Sequence, residues 1–423
     1  MPHSESGFSP RAAGPSGSRL VRRALAFAVP ATLALAPLPS FALFNDRVEL
    51  FAAENVTWDS NVFRLSKDLG PIVSDQIYTT SLGVNANIPW SLQRFQLAYT
   101  YFATRYRKTT DLDFNGHTSH AGWLWSLTPR ATGELAWDDQ RSLASFTQFT
   151  TTERVRDVLD TRSIYGNGAW FVVPSWRVHG AASVNEQTHS DPTRKIYDLR
   201  TGNGEAGISY VTAQDNRVGF AARAERGKST DVDTGLGQPD FSYRQYGGGI
   251  VMHYAITGHS MLDGRAEYTR RNYDSDVFQD FGGPTLRFVH TWNPTVKTQV
   301  VTTLRDEISP IQEVQSANFV IVKGISVKPQ WLATDKITVG GTLEYNDWHY
   351  KAGQPVPGVP TNGPAVPTSD YSNRVRTFGL TGTWKPTQNF FFLASYLHEL
   401  RTSSVPLQDY KVDVFSLEGR ISF

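Results

Sequence analysis

Any bond chemistry in this chain must come from histidine, serine or carboxylates, because its 423 residues include no cysteine. That absence removes disulfides, thiolate metal sites and cysteine nucleophiles together. No HExxH, GxSxG or Walker-type phosphate loop occurs. None of the ten histidines is paired at metal-ligand spacing. His117 and His120 come nearest, but three residues along a strand puts them on opposite faces. Residues 202–207 (GNGEAG) fit GxGxxG. A dinucleotide site needs a helix after those glycines, whereas Ile208-Ser209-Tyr210-Val211 continues as strand. Glycines facing bulky neighbours in a β-wall explain the run better. A serine–histidine hydrolase assembled from distant residues stays open. The reading is therefore of a non-enzyme with no catalytic residues, cofactor or metal.

What remains is charge in alternation. Arg177, Glu205, Arg217, Arg223, Glu225, Asp263, Arg265, Glu267, Arg287, Lys297, Arg305, Glu344, Glu418 and Arg420 are of mixed sign, and many alternate with apolar neighbours. Val218, Phe220, Ala222 and Ala224 oppose Arg217, Arg223 and Glu225. Leu262, Ala266 and Tyr268 oppose Asp263, Arg265 and Glu267. In residues 409–423, Phe415, Leu417, Ile421 and the terminal Phe423 share one face; Ser416, Glu418, Arg420 and Ser422 share the other. A period of two is a strand. Apolar on one side and polar on the other, with a C-terminal aromatic, it resembles the closing strand of bacterial outer-membrane barrels. There the oily face meets lipid and the polar face a watery lumen.

The same alternation recurs from Val48 onward. Compact turns are expected at residues 89–91, 128–130, 173–175, 213–216, 257–259, 293–295, 328–336 and 385–388, marked by Pro, Gly or Asn-Asp. Trp90, Trp123, Trp125, Trp170, Trp176, Trp292, Trp331, Trp384 and residues 390–392 (FFF) crowd these turns, as an interfacial girdle would. The expectation is an all-β fold: a transmembrane antiparallel up-and-down barrel of about eighteen strands (16–18), with eight short turns and nine longer loops. The proline-glycine loop at 351–370 could fold inward as a plug or lie free outside. At about eighteen strands, an unfilled barrel leaves an aqueous channel. The mixed-sign charges would line it and pair across strands.

Composition agrees. Mean hydropathy is −0.36, and no apolar run after residue 45 is long enough for a membrane helix. A barrel hides its lipid face in alternation. A net charge of +1 argues against nucleic acid or other polyanions as partners. Arg11, Arg19, Arg22 and Arg23 precede an apolar core at 24–39 and a small-x-small site at Ser40-Phe41-Ala42. This reads as a signal peptide over 1–42, followed by one barrel domain over 43–423, in the bacterial outer membrane. Arg22-Arg23 belongs to an ordinary n-region rather than a twin-arginine signal. The sequon at Asn55-Val56-Thr57 is incidental in that compartment.

One stretch is more specific. Asn55, Val56, Thr57, Trp58 and Asp59, then Asn61, Val62, Phe63, Arg64 and Leu65, resemble the opening of the EpsL-type exosortase-associated exopolysaccharide-biosynthesis outer-membrane proteins. Leu43-Phe44-Asn45-Asp46 is similar to the mature start of that family. The resemblance implies a channel for passive passage of a glycan polymer. Its implied partners are outer-membrane lipid, exopolysaccharide, periplasmic polysaccharide-export components and the barrel assembly machinery. Asp59 and Asn61 are expected to cap a tight first loop, or more sharply to touch sugar. The alternatives are a general diffusion porin for small solutes, a barrel enzyme acting on lipid or glycan, and a soluble periplasmic β-sandwich.

Overall fold

The computed structural model describes residues 47–147, 155–230, 240–275, 280–309, 317–352 and 369–423. The signal peptide read over 1–42 and all but the ends of the 351–370 loop lie outside these residues.

The described residues form eighteen antiparallel strands. The first nine are β1 (Val48–Asp59), β2 (Asp75–Trp90), β3 (Gln93–Tyr106), β4 (Phe114–Thr128), β5 (Ala131–Leu143), β6 (Val158–Val173), β7 (Trp176–His189), β8 (Leu199–Val211) and β9 (Arg217–Ser229). The second nine are β10 (Tyr243–Thr257), β11 (Ser260–Tyr273), β12 (Phe281–Thr295), β13 (Thr298–Ser309), β14 (Ala317–Leu332), β15 (Ile337–Ala352), β16 (Tyr371–Trp384), β17 (Phe390–Ser403) and β18 (Tyr410–Ser422). Each strand pairs with its sequence neighbours, and β1 also pairs with β18 in register from Phe51↔Ser422 to Asp59↔Val414. The sheet is closed, so no edge is left bare. The eight short turns lie at the end holding the start of β1 and the end of β18; the longer connections lie at the other. In an outer-membrane barrel these ends are periplasmic and extracellular respectively.

Side-chain direction follows the alternation. The outward set is apolar: Leu82, Leu97, Phe220 (56% exposed), Ile250 (57% exposed), Leu343 and Leu417 all present their side chains to the surroundings. The opposite set lies on the concave face, because residues of non-adjacent strands meet there: Arg265 of β11 reaches Glu205 of β8 at 2.8 Å. On a convex face such side chains diverge. The oily belt therefore faces out and the charges face in, which is the arrangement of a barrel in lipid. The protein resides in the bacterial outer membrane. Trp90, Trp170, Trp176, Trp292, Trp331, Trp384 and Phe392 point outward near the periplasmic turns, at the level where amphipathic rings favour the interface. Phe391 departs from the expected girdle. It faces the lumen, under the ammonium of Lys385 at 5.6 Å.

One expected turn is displaced, and the one expected over 328–336 is confined to 333–336. Pro294 lies inside β12, beside a register irregularity between Trp292 and Thr295, and the turn falls at residues 296–297. Pro329 lies inside β14, where pairing to β15 skips from Val327 to Gln330. Proline lacks the ladder N–H and is tolerated where the ladder is interrupted.

The outward belt gives a direct test. Ile250 sits mid-strand on β10, beside Phe220 and Ala266. Ile250→Arg is expected to cost about 2–4 kcal/mol if that position is at the bilayer midplane, read from the denaturant midpoint of protein folded into vesicles. An unchanged midpoint would place β10 outside the hydrocarbon.

Candidate functional site

The lumen wall carries the charges singled out from the sequence. On one side Arg265 bonds both oxygens of Glu205 (2.8 and 2.9 Å) and approaches Glu267 at 3.4 Å. Arg223 of β9 also pairs with Glu267, and His179 of β7 stands 3.7 Å from Glu205. Glu225 accepts the Tyr243 hydroxyl, and Asp263 lies 2.6 Å from His253. β10 runs between β9 and β11, so their side chains must meet over it. They can because its inward positions there are Gly247 and Gly249. A Cβ on Gly249 would lie 2.7 Å from Glu267 Cβ, and one on Gly247 3.1 Å from Arg223 Nε.

The device recurs across the lumen. Arg305 of β13 donates to Glu344 at 3.1 Å and to Asn346 at 2.6 Å, both on β15. The intervening strand, β14, is bare at Gly324, where a Cβ would lie 2.2 Å from Asn346 Oδ1. Arg287 pairs with Glu307 at 2.8 Å. At the seam between β1 and β18, Arg420 donates to Glu49 at 2.8 Å and Asn55 to Glu418 at 3.1 Å. The wall is thus a mixed-sign hydrogen-bonding surface in which many charges pair across strands, as cross-strand neighbours favour, and in which Glu225 and Glu418 accept from neutral donors. Arg217 lies near the periplasmic end, paired with Asp215. Lys297 is a correction: it sits exposed in the two-residue turn after β12, outside the lumen wall, because the turn falls after Pro294 rather than on it.

Towards the extracellular end the lumen changes character. Tyr106, Tyr243, Tyr350, Tyr371, Tyr410, Val322, Val412 and Val414 are buried. Loops turn in to cover them. Val62 and Phe63, from residues 60–74, pack on Ile77, Tyr106 and Leu112, with Leu143 and Phe146 against the same cluster. Phe63 and Phe146 meet edge to face at 5.0 Å. Arg401 of β17 donates to the Thr147 carbonyl beyond β5 and to Gln408 at 3.0 Å. A loop after one strand is thereby held by a distant part of the wall.

A buried polar cluster pins two further loops. Asp157, just before β6, accepts from the backbone N–H of Ser190 and of Asp191, both at 3.0 Å, and faces Arg194 at 3.4 Å. His189, the last residue of β7, sets Nδ1 2.8 Å from Asp198, just before β8. The His189 side chain is fully buried. Charges this deep persist only when paired.

The 55–65 motif is placed in full. Trp58 points outward against Phe415, ring centroids 5.7 Å apart. Asn55, Val56 and Thr57 are buried in β1. Asp59 accepts the Asn61 N–H at 2.8 Å and pairs with Arg64 at 2.8 Å. Asn61 donates to the carbonyls of Leu65 (2.9 Å) and Lys411 (3.2 Å), and its Oδ1 accepts from the Leu65 N–H. Arg64 takes a positive φ of 55° at this bend. Asp59 and Asn61 cap the first loop, as expected, and Val62, Phe63 and Leu65 pack in the extracellular cluster. Asp59 and Asn61 are buried and occupied by these bonds. Phe423 donates its N–H to the Leu50 carbonyl at 2.8 Å, extending the seam by one residue.

His117 and His120 fall on opposite faces, each against its own carboxylate: Asp139 at 3.2 Å outside and Asp138 at 3.0 Å inside. Ser260 Oγ lies 2.7 Å from His290 Nε2 on the outer face, but no carboxylate orients that ring among the described residues. Nor is any group of three ligating side chains placed to hold a metal among them.

Residues 256–423 match a family model described as "Putative beta-barrel porin 2". That match covers the last 168 of the chain's 423 residues, from the end of β10 through β18. No match is found among curated proteins. Among solved structures it is similar to the outer membrane protein OpdK from Pseudomonas aeruginosa, with TM-score 0.48 and 9% identity over 89% of this chain and 99% of that one. A BenF-like porin from Pseudomonas fluorescens Pf-5 gives 0.47 and 10%, over 89% and 98%. The alcaligin outer-membrane receptor FauA from Bordetella pertussis gives 0.42 and 12%, over 88% and 76%.

Proposed function

We propose that the barrel is a passive diffusion channel for small polar solutes, with no bond chemistry. The observation that carries this reading is the pairing of a charged, hydrogen-bonding belt in the lumen with loops that fold inward above it. A polar wall replaces the hydration of a solute as it passes, and mixed sign avoids trapping either charge. Inward loops favour small cargo over a thick hydrated polymer. The test is liposome swelling with sugars of graded size, beside planar-bilayer conductance. Entry of monosaccharides with a sharp fall for longer oligomers is expected. Exclusion of every small sugar would overturn it.

Export of an exopolysaccharide is the second reading, favoured by the resemblance of residues 55–65. Loss of surface polysaccharide on gene deletion, restored by the wild-type gene, would support it. Unchanged secretion would remove it.

The charged belt also sets ion selectivity. Arg265→Ala leaves Glu205 and Glu267 without their shared cation, so reversal potentials in a salt gradient are expected to shift toward cation preference. The same potential in wild type and variant would mean ions do not pass this part of the wall.

A further inference from the structure

The outer surface holds a second charged feature, unrelated to the lumen. At the extracellular ends of β8, β9, β10 and β11, five cations point outward: Arg200, Arg226, Lys228, Arg244 and Arg270, all exposed. Arg200 stands directly opposite Lys228 across the ladder, and Arg226 directly opposite Arg244. Like charges in directly opposed positions are destabilising. One carboxylate relieves the second pair: Asp274 bonds Arg226 and lies 3.8 Å from Arg244. The Arg226 hydrogen bond, then the charges of Arg226 and Arg244, hold the Asp274 carboxyl below its usual range. Among the described residues, no carboxylate is within ion-pair distance of Arg200, Lys228 or Arg270.

Neighbouring sectors of the same rim differ. Arg162 meets Asp139, Arg141 meets Asp160, Lys323 meets Asp306 and Lys411 meets Asp413. Among the described residues β8–β11 hold the densest run of outward cations lacking a carboxylate partner, whereas Arg105 of β3 and Arg376 of β16 lack one singly. The depth of that run is fixed by what lies beneath it. Tyr246 and Tyr268 point outward two residues below Arg244 and Arg270 and are 55% and 62% exposed. Aromatic side chains of this kind mark the boundary between acyl chains and headgroups. At about 3.4 Å per residue, the cations sit on the order of 7 Å further out, at the level of lipid phosphates. Gly202, beside Arg226, has no neighbour where a side chain would stand, so the backbone there is open to a ligand.

We infer that the outward face of β8–β11 docks the phosphate groups of a phosphorylated glycolipid in the outer leaflet. Arginine presents several donors to phosphate at once. An anion between Arg200 and Lys228 would do for that pair what Asp274 does for the other. The site is independent of the channel reading; it rests on the placement of this face in the membrane.

The experiment uses the full mature chain in detergent and three probes: diphosphoryl lipid A, its dephosphorylated form, and phosphatidylglycerol, with binding read by native mass spectrometry. Wild type is expected to retain diphosphoryl lipid A in preference to both others. In R200S/K228S/R244S/R270S that retention is expected to weaken on the order of a hundred-fold, a few-fold per cation near a charged surface. K323S/K411S, which removes two rim cations elsewhere, should bind as wild type. Heat-modifiable gel mobility reports that each variant is folded. Three outcomes would each overturn the inference: equal retention of the dephosphorylated lipid, equal retention of phosphatidylglycerol, or equal losses in both variants. The first two need no variant to fold.

Discussion

Replacing Asp157 with alanine is expected to cost about 3–5 kcal/mol, the usual penalty for removing one member of a buried ionic cluster. Asp157 is buried against Arg194 and His189 and accepts the N–H groups of Ser190 and Asp191. Without it the Asp191 N–H loses its carboxylate acceptor, Ser190 N–H keeps the Val158 carbonyl, and the Arg194 guanidinium loses a buried counter-charge where water does not reach freely. The expected result has two parts. The denaturant midpoint falls, and the loop at 190–198, no longer tied to the start of β6, becomes cleavable by protease on intact cells. Asp157→Asn keeps the shape but not the charge and should fall between. Wild-type protease resistance in Asp157→Ala would mean that the loop is held by other contacts.

The second large effect is expected at Phe63. Its ring is buried among Val62, Ile77, Tyr106 and Leu112 and meets Phe146 edge to face. Phe63→Ala leaves a cavity in a cluster shared by the loops at 60–74 and 107–113 and the segment after β5. Core truncations of this kind cost about 3–5 kcal/mol. Because the cluster lies inside the barrel, loss of its anchor is also expected to raise single-channel conductance. Phe63→Leu, which refills most of the volume, should restore both readings. Lower stability with unchanged conductance would show that the cluster props the wall and does not narrow the path.

Much of the wall was legible before any coordinates. Lipid outside and water inside impose a period of two, and a strand cannot satisfy both without alternating, so Val218 to Ala224 or Phe415 to Leu417 declare their direction. Strand number, turn number and the sides of His117 and His120 follow from that rule. Where it fails, the cause is local. Pro294 and Pro329 were read as turns because proline usually breaks strands; here each sits at a gap in the ladder, and the first displaced Lys297 from wall to turn.

The lumen was legible only as a list of charges. That Arg305 meets Glu344 depends on a glycine of the strand between them, and no pairwise pattern in sequence carries a three-strand relation. The extracellular cluster was invisible for another reason. Asp157, His189, Arg194 and Asp198 lie at strand ends or in loops, where alternation stops, and meet only through tertiary packing. One faint signal existed: the 55–65 stretch places Val62 and Phe63 just past a strand end, where a free outer loop would have little use for them.

The junction of β1 with β18 bears on how the protein is made. The first strand to leave the ribosome waits for the last, and until the two meet, a nascent wall carries two raw rows of unanswered amides. Such rows recruit any extended polypeptide nearby, and pairing of such remote segments is slow. An unfinished or stalled copy should therefore be hazardous to its neighbours, and chaperoning during transit matters more here than for a sheet whose borders form early.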